Sequence, residues 1–272
     1  MCDACITDAV KSRVDRRSLL VAASAAAAAI AGGAQPASAQ ARRVSFGRVV
    51  DLTHTLDADF PTFFGTPSWS REAQFSYDKD KFNLWKLTYG EHIGTHFDAP
   101  LHFSADGKSV DEIAPEQLVC PLAVINVTDK AAKDADYRVT IDDIRTWERR
   151  WGRVPDGACV AMQSGWDKLV KSDRFRGADA SKVLHFPGFS VDAAQFLMSE
   201  RKVAGIAVDT LSLDHGPSKD FAVHYKWLPS GRYGIECVAN LAGVPPVGAT
   251  LVGGAPKFKG GSGGPGRLFA LV

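Results

Sequence analysis

Four potential metal ligands lie within eleven residues of this chain: His92, His96, Asp98 and His102. The chain has only seven histidines in 272 residues, so three of them in one short segment is an unusual concentration. Neutral imidazole and carboxylate groups are the ligands that a divalent catalytic metal uses. Polar side chains buried together without partners cost free energy, and a cation would compensate them. We therefore predict that His92, His96 and Asp98 bind a metal ion.

The spacing of these residues predicts extended backbone. All four have even numbers, and side chains two residues apart in a strand point to the same face. Gly94 and Pro100 disfavour a helix across the segment. The helical motif of zinc proteases does not fit, because it requires Glu directly after the first histidine and Ile93 stands there. We expect one face of a strand that runs into a loop at Pro100.

A second candidate ligand group, His224 and Glu236, lies far along the chain. Two such residues, twelve positions apart, could equally be surface residues. Their neighbours Phe221, Val223 and Ile235, however, are too apolar for a fully solvated segment. A buried carboxylate needs a compensating partner, and a cation is a good one. We expect this group to complete the site.

Strands alternate with helices along the segments that must position these ligands. Apolar runs rich in β-branched residues predict strands, and the segments after Thr140 and Ser190 predict helices with those residues as N-caps. Residues 82–87 and 91–97 are expected to form paired strands, and the glycine-rich segment 260–266 a flexible turn. Together these elements predict one mixed α/β domain. The other predicted strands are 44–54, 119–127, 158–163, 203–208 and 267–272, and the predicted helices are 141–151 and 190 to about 201.

The first 39 residues have the composition of an export signal. Arg16 and Arg17 precede an alanine-rich apolar run, and Ala37-Ser38-Ala39 is typical of a cleavage site. The apolar run is too short to span a bilayer comfortably, although an uncleaved anchor is the alternative. We predict a twin-arginine signal peptide over residues 1–39 and a mature domain over 40–272. The mature protein would be periplasmic or secreted, without membrane attachment, and a metal could be loaded before export of the folded chain.

The predicted mature chain is electrically balanced. Removing residues 1–39 takes four basic and three acidic residues from totals of 32 and 31, which leaves 28 of each. Such a balance gives no reason to expect nucleic acid or an anionic membrane as a partner. Three cysteines remain, Cys120, Cys159 and Cys237, an odd number without CxxC spacing. No disulfide framework is expected, although one bridge would be compatible with export.

The segment with the first ligand group resembles the signature of the cyclase family of metal-dependent hydrolases. This family includes bacterial kynurenine formamidases, isatin hydrolases and related amide or lactone hydrolases. Similar segments extend over nearly the whole mature chain. The matching pieces are His92-x-Gly-Thr-His96-x-Asp98-Ala-Pro-x-His102, Ser164-Gly165-Trp166-Asp167, Phe186-Pro187-Gly188, Val208-Asp209-Thr210-x-Ser212 and the segment 256–267.

The resemblance implies a mixed α/β fold around a small barrel-like sheet, in homodimers or homotetramers. It implies that His92, His96 and Asp98 hold one divalent ion, Zn or Mn, and that Asp98 can bridge to a second ion. By the same resemblance His224 would bind the second ion, and Glu236 would bridge or cap the pair.

His102 lies four residues beyond Asp98, on the same predicted face. The resemblance implies that it is the general acid/base of the reaction. Hydrolysis at a metal site, where the pKa of water is lowered and a carbonyl is polarised, needs a proton donor close to the leaving group. A fourth metal ligand and a structural histidine are the alternative roles for His102.

The aromatic loop over residues 57–70 is where the chain departs from the formamidase pattern. Phe63-Phe64-Gly65-Thr66 stands in place of Trp-Pro-Gly-Asp, and Glu236-Cys237-Val238 in place of Glu-Asn-Leu. We expect Phe63 and Phe64 to line an apolar substrate pocket. The alternative is that the aromatic residues of this loop lie in the core or in a subunit interface.

The expected function is hydrolysis of a C–N bond in a small aromatic or cyclic amide by metal-activated water. Isatin-like lactams or imides and N-formyl amines are the substrate classes that the resemblance implies. Export disfavours the kynurenine pathway, which is cytoplasmic, and favours an external compound. Lactone hydrolysis at the same site is one alternative, and a non-catalytic periplasmic metal- or ligand-binding protein is the other.

Overall fold

A curled nine-stranded sheet with the form of a half-barrel organises residues 45–272, the part of the chain that the computed structural model describes. The predicted signal peptide and its cleavage site lie outside the described residues. In the order of neighbouring strands, the sheet contains β1 (Val49–Asp51), β13 (Arg267–Leu271), β11 (Ala249–Gly254), β5 (Val119–Asn126), β7 (Cys159–Gln163), β9 (Gly205–Val208), β10 (Tyr233–Glu236), β4 (His96–Asp98) and β12 (Gly263–Pro265).

The centre of this sheet is parallel and its two edges are antiparallel. Strands β5, β7, β9 and β10 run in the same direction, as expected when helices connect successive strands. The described helices are α1 (Tyr77–Asp80), α2 (Pro115–Leu118), α3 (Thr128–Ala131), α4 (Ile141–Trp151), α5 (Val191–Glu200) and α6 (Ala222–Trp227). The predicted strands and helices are confirmed, with ends that differ by a few residues, apart from two strands. The strand predicted over 44–54 covers only Val49–Asp51, and the one predicted over 91–97 only His96–Asp98.

The two N-caps predicted for the long helices are confirmed. The Thr140 hydroxyl accepts a hydrogen bond from the backbone N–H of Asp143, and Ser190 accepts one from Ala193. Helices α4 and α5 cover one face of the sheet, and apolar side chains fill the space between them, including Trp147, Met162 and Leu197. The other face has its own buried cluster, which includes Phe97, Tyr233, Ile235 and Leu251. The strands of the central sheet are therefore apolar on both sides.

Two small sheets lie beside the main one. Strands β2 (Trp69–Phe75) and β3 (Leu84–Tyr89) form an antiparallel ribbon, and β6 (Arg138–Val139) pairs with β8 (Gly188–Phe189). The prediction that residues 82–87 pair with 91–97 is therefore wrong. Gly94 has a left-handed backbone, with φ of 63°, and it interrupts any extended strand before β4. Strand β3 instead pairs with the strand that directly precedes it in the chain.

The expectation of one continuous strand face from His92 to His102 is also wrong. Only His96–Asp98 is a strand, and His102 lies in a 3₁₀ turn, Pro100–Phe103, that begins at the proline. The segment 260–266 is not simply a flexible turn, because it contains β12, which pairs with β4. Gly263 permits this pairing, since a Cβ atom there would collide with the Phe97 carbonyl oxygen and the His92 ring.

The three cysteines in the described part of the chain, Cys120, Cys159 and Cys237, are free and buried. Neither disulfide bonding nor thiol chemistry is therefore needed to account for the fold. Among residues 45–272, no helix has the length and apolar character needed to cross a membrane.

Candidate metal and catalytic site

The first ligand group is built around the short strand β4. Its alternation places His96 and Asp98 on the same face, with both side chains buried. His92 reaches the same place from the preceding loop, and its Nδ1 lies 2.8 Å from Asp98 Oδ1. His96 Nε2 lies 3.3 Å from the same oxygen. The potential ligand atoms of these three residues lie within 4.8 Å of one another.

The second ligand group joins the first through strand pairing. Strand β10 lies antiparallel to β4, and Glu236 is the direct partner of His96. His224 projects from the short helix α6, with its Nε2 3.1 Å from Glu236 Oε1 and 3.8 Å from Asp98 Oδ2. Potential ligand atoms of Asp98, His224 and Glu236 again lie within 4.8 Å of one another. The structure thus brings all five predicted metal ligands together, with Asp98 common to both groups.

Two buried atoms of this cluster fit a cation better than any protein partner. His96 Nε2 and Asp98 Oδ2 are inaccessible to solvent and have no hydrogen-bond partner among the described residues. His96 Nδ1 lies 2.8 Å from the Gly94 carbonyl oxygen, so an N–H at Nδ1 leaves the lone pair of Nε2 directed at the cluster. Nitrogen and carboxylate donors of this kind suit a divalent metal. The residues present therefore fit a divalent metal.

The charges of the cluster lead to the same conclusion. Burial disfavours charged imidazole, yet charge attraction from the carboxylates of Asp98 and Glu236 raises the pKa of His96 and of His224 to about 10, with the hydrogen bond to Asp214 adding to it at His224. Burial likewise opposes ionisation of Asp98, but the histidines beside it hold the pKa of its carboxyl well below the ordinary value. Two ionised carboxylates in a dry site require positive charge, which either protons or a cation can supply.

Acidic and backbone groups orient the second ligand group. Asp214 Oδ2 lies 2.7 Å from His224 Nδ1, and the two oxygens of Asp214 accept hydrogen bonds from the backbone N–H groups of Val223 and His224. The backbone N–H of Leu213 donates to Glu236 Oε1 at 2.9 Å. These bonds fix the imidazole so that Nε2 faces Glu236. Neither Asp214 nor Leu213 was predicted as part of the site. The signal that could have indicated Asp214 is a carboxylate directly after the buried segment 211–213.

His102 lies beside the cluster without being part of either ligand group. Its ring stacks on that of His92, with centroids 3.7 Å apart and planes 19° apart, and its centroid lies 6.0 Å from that of His224. Burial lowers the pKa of His102 to about 4, against the opposing influence of Asp98. The ring is therefore neutral near pH 7, and a neutral imidazole can accept a proton.

A cavity of about 450 Å³ opens above the cluster. Its lining includes His92, His96, His102, His224 and Glu236 together with the predicted pocket residues Phe63 and Phe64. The same aromatic loop also contributes to the core, since Phe60 is almost fully buried. A larger depression of about 630 Å³ near Asp136 and Arg145 contains none of these ligands, so the chemistry points to the smaller cavity.

Two further aromatic walls of the cavity were not predicted. Phe103 ends the 3₁₀ turn that carries His102, and Phe221 precedes α6 with a left-handed backbone, φ 48°. Phe221 contacts both Phe63 and Phe103, with ring centroids 5.6 Å apart in each case. These three rings surround the mouth of the ligand cluster with flat apolar surfaces. A left-handed non-glycine residue beside a site is a common form of stored strain.

Comparison with known proteins identifies the family. A profile described as “Putative cyclase” matches residues 50–215. The chain belongs to the cyclase family. It is 32% identical over 243 residues to the isatin hydrolase of Roseibium aggregatum. That alignment covers 82% of this chain and 91% of the relative. It is also 27% identical over 193 residues to a kynurenine formamidase of Bacillus cereus, which covers 71% of this chain and 81% of the relative.

Solved structures confirm the predicted fold class. Isatin hydrolase A from Labrenzia aggregata, bound to benzyl benzoate, superposes with a TM-score of 0.78 at 37% identity, over 83% of this chain and 93% of that one. An isatin hydrolase bound to the product analogue thioisatinate gives a TM-score of 0.77 at 31% identity, over 83% and 92% of the two chains. Relatives named as hydrolases of carbon–nitrogen bonds, together with the ligand cluster, establish this member of the cyclase family as a metal-dependent hydrolase of small molecules.

Proposed function

We propose that this chain hydrolyses the amide C–N bond of a small, flat, cyclic amide of the isatin type. The observation that carries the proposal is the cavity of about 450 Å³, whose lining combines three phenylalanine rings with four of the five candidate metal ligands. Relatives at 31–37% identity are named as isatin hydrolases, and one of their structures holds a product analogue of isatin. A cavity of this size is at the small end of the range for ligand sites, as a bicyclic substrate requires.

We assign His92, His96 and Asp98 to one metal position, and His224 and Glu236 with the shared Asp98 to a second. Zn and Mn are the metals that the donor set favours, and two triads that share one carboxylate support as many as two ions. When bound, a divalent metal supplies activated water near neutral pH and polarises the carbonyl oxygen.

We assign the proton transfer to His102. Its ring lines the cavity and stacks on that of His92. A neutral imidazole there takes a proton from the attacking water and returns it to the nitrogen that leaves when the amide bond breaks. Proton donation to that nitrogen is needed because an amide anion is a poor leaving group.

The aromatic rings have the geometry to select the substrate. Phe63, Phe103 and Phe221 present flat surfaces that stack on an aromatic ring and exclude water from the reacting carbonyl. Phe64, by contrast, is 82% exposed at the mouth of the cavity. N-formyl aromatic amines are the second candidate substrate class, because formamidases are also among the relatives, but the formamidase Trp-Pro-Gly-Asp pattern is replaced here.

A substrate screen with metal analysis tests this proposal. The metal-loaded chain should hydrolyse isatin faster than N-formylkynurenine, simple lactams or simple lactones. Preference for a lactone would favour the ester-cleaving alternative. Absence of turnover with every compound, in protein that retains its metal, would favour a binding protein instead.

His102→Ala tests the proton-transfer role separately. We expect turnover to fall about 10²–10⁴-fold, the usual contribution of general acid/base catalysis, with metal content unchanged. His215→Ala is the matched control, because His215 lies outside the cavity lining. Loss of metal in His102→Ala would instead identify this residue as a fourth ligand.

We also propose that the protein is exported by the twin-arginine route and that it associates as a homodimer or homotetramer. The paired arginines, the apolar run and the Ala-Ser-Ala sequence support the first statement. Replacement of Arg16 and Arg17 by Lys should keep the protein in the cytoplasm, as fractionation would report. Sedimentation velocity of the metal-loaded chain should report a dimer or tetramer, and a monomer would contradict the second statement.

A further inference from the structure

A second cavity lies beside the catalytic one and shares its aromatic wall. This side cavity has a volume of about 360 Å³, and its lining includes Phe63, Phe64, Arg176, Lys182 and Lys219. The two phenylalanines also line the catalytic cavity. None of the five candidate metal ligands lines the side cavity. The two cavities are therefore neighbours across the aromatic loop, and only one of them has the groups for metal chemistry.

The side cavity has a basic lining. Arg176, Lys182 and Lys219 contribute three positive charges, and within residues 45–272 no aspartate or glutamate lines it. In the same part of the chain, none of these three residues takes part in an ion pair. The whole chain, by contrast, is almost balanced, with 32 basic and 31 acidic residues. A concave site with three cations and no carboxylate attracts anions.

Arg176 is held in place between the side cavity and the aromatic loop. Its Nη2 donates a hydrogen bond to the Phe63 carbonyl oxygen at 3.1 Å. Gly65 makes room for the guanidinium, because a Cβ atom there would lie 2.8–2.9 Å from Cζ and both Nη atoms of Arg176. Ordering an arginine side chain costs conformational entropy. The contact with the loop has met part of that cost before any ligand binds.

Most of the hydrogen-bonding capacity of Arg176 has no partner within the described chain. A guanidinium has five N–H donors, and the bond to Phe63 uses one of them. Its Nε is buried and has no hydrogen-bond partner among the described residues. A planar guanidinium pairs best with a carboxylate or a phosphate, which accepts two parallel hydrogen bonds. The lining of the side cavity is therefore suited to an oxyanion.

The proposed reaction produces an oxyanion of this kind. Water adds to the carbonyl carbon of the cyclic amide, the C–N bond breaks, and the ring opens to one molecule that carries both an amine and a carboxyl group. A carboxyl group with a pKa of roughly 4 releases its proton near pH 7. The cyclic amide itself is uncharged. Product and substrate therefore differ by one negative charge on the same aromatic framework.

We propose that the side cavity binds the aromatic carboxylate that ring opening releases, with Arg176, Lys182 and Lys219 around its negative charge. Phe63 and Phe64 favour an aromatic anion over inorganic phosphate, since an aromatic ring packs against them. The identity of the ligand rests on the proposed function, whereas the affinity for an aromatic carboxylate rests on the cavity alone. The site distinguishes product from substrate by charge, because a neutral amide gains little from three cations.

Isothermal titration of the metal-loaded chain with benzoate and with benzamide tests the proposal, because the two probes share a ring and differ in charge. The variant Lys182→Met/Lys219→Met removes two cations from the side cavity. Its matched control, Lys133→Met/Lys168→Met, removes the same charge from exposed positions outside both cavities. Benzoate binding should weaken about 5–20-fold in the first variant, the effect of losing two ion pairs, and stay unchanged in the control. Benzamide should bind equally to all three proteins.

Steady-state kinetics with isatin connects the side cavity to turnover. The product, 2-aminophenylglyoxylate, is used as the inhibitor. In Lys182→Met/Lys219→Met, the ratio of its inhibition constant to the KM for isatin should rise by the same factor as the dissociation constant of benzoate. A carboxylate bound only at the metal ligands would keep that ratio unchanged in both double variants, and this result would contradict the proposal.

The titration has its own contradicting outcomes. Benzoate binding that weakens equally in the two double variants, or in neither, would overturn the proposal, as would an equal loss of benzamide binding. Circular dichroism of both variants checks that the fold is retained, as expected for exposed positions. Titration needs no turnover, so a chain that bound benzoate in the side cavity without hydrolysing isatin would contradict the proposed function alone.

Discussion

Asp98 and Asp143 are both buried carboxylates, but the chain provides them with different partners. Asp143 ion-pairs with Lys130, and its Oδ2 accepts hydrogen bonds from the Tyr137 hydroxyl at 2.7 Å and the Thr140 backbone N–H at 2.8 Å. Asp98 has only imidazole groups near Oδ1, and its Oδ2 has no hydrogen-bond partner among the described residues. Both oxygens of Asp143 therefore have partners within the chain, whereas Asp98 Oδ2 has none among the described residues.

This difference separates a structural carboxylate from a ligand more clearly than its acidity does. The pKa of each is held below its ordinary value even though burial opposes ionisation, so the direction of the shift does not distinguish them. The hydrogen-bond donors distinguish them, because both oxygens of Asp143 accept from groups of the chain itself, namely Lys130, Tyr137 and Thr140. Asp98 lies where two ligand triads meet and lacks a donor, so its missing partner must come from outside the chain.

Asp98→Asn should have the largest effect. The amide keeps the shape of the side chain but removes the charge that both triads share. We expect metal affinity to fall by more than about 100-fold, beyond the 10–100-fold typical of changes behind the ligands. The free energy of unfolding of the metal-free chain should fall, because the buried histidines that lower the pKa of Asp98 lose the carboxylate they pair with. Metal titration and denaturant unfolding with chelator measure the two quantities.

Asp51→Asn is the control for Asp98→Asn, because Asp51 forms a surface ion pair with Arg267 and lies outside the cluster. It should leave metal affinity unchanged. If Asp98→Asn bound metal as tightly as the unsubstituted chain, the incomplete carboxylate would not be a ligand, and the contrast with Asp143 would lose its meaning.

The groups behind the ligands should have the next largest effect. His92 Nε2 lies 2.9 Å from Ser262 Oγ, whose hydroxyl donates to Glu91, whereas His224 Nδ1 is held by Asp214. Asp214→Asn should weaken metal binding about 10–100-fold, and Ser262→Ala should lie at the low end of that range. Isothermal titration with the metal measures both.

Ser68→Ala is the matched control for Ser262→Ala, since Ser68 also lines the cavity but its hydroxyl accepts a hydrogen bond from the Gly90 N–H and not from a candidate ligand. A larger loss in Ser262→Ala than in Asp214→Asn would reverse the expected order. It would mean that the loop-borne ligand His92, and not the helix-borne His224, determines affinity.

The local ligand group could be predicted from the sequence because three ligands fall within seven residues. The residue types alone were enough to predict a metal site. The strand assumed over the whole run was wrong, since His92 reaches the site from a loop and His102 from a 3₁₀ turn. Close sequence spacing confines side chains to one neighbourhood whatever the local backbone. The helices α4 and α5 were predictable for a similar reason, since their caps and periodicity are local.

The second group required tertiary structure. The residues near Glu236 do not show that β10 lies against β4. Only the pairing of these strands places Glu236 opposite His96. Gly263 looked like part of a flexible turn because glycine-rich segments usually are, whereas here the missing side chain permits close approach of β12 to β4. Asp214 and the walls Phe103 and Phe221 were missed because each acts through contacts distant in sequence.

Asp143→Asn should have the smallest effect on metal and a measurable one on stability. It removes the ion pair with Lys130 and weakens the hydrogen bonds from Tyr137 and Thr140, so the free energy of unfolding should fall by about 1–3 kcal/mol at neutral pH. Metal affinity should not change, because these partners lie on α3 and in the segment between it and α4, outside the ligand cluster. Equal loss of metal in this variant and in Asp98→Asn would remove the distinction between the two carboxylates.

The pH dependence of the Asp143 contribution follows from the direction of its shift. Burial opposes ionisation of Asp143, but hydrogen bonds from Lys130, Tyr137 and Thr140 outweigh it and lower the pKa of the folded state. A lowered carboxyl pKa contributes stability that is complete above the unfolded value of about 3.9 and is lost as the pH falls through the folded value. Urea unfolding of chelator-treated protein between pH 7 and 3 should therefore show a constant difference between the unsubstituted chain and Asp143→Asn down to about pH 4–5, and a shrinking one below it. A difference that grew on acidification would mean that the protonated form is the one this pocket stabilises.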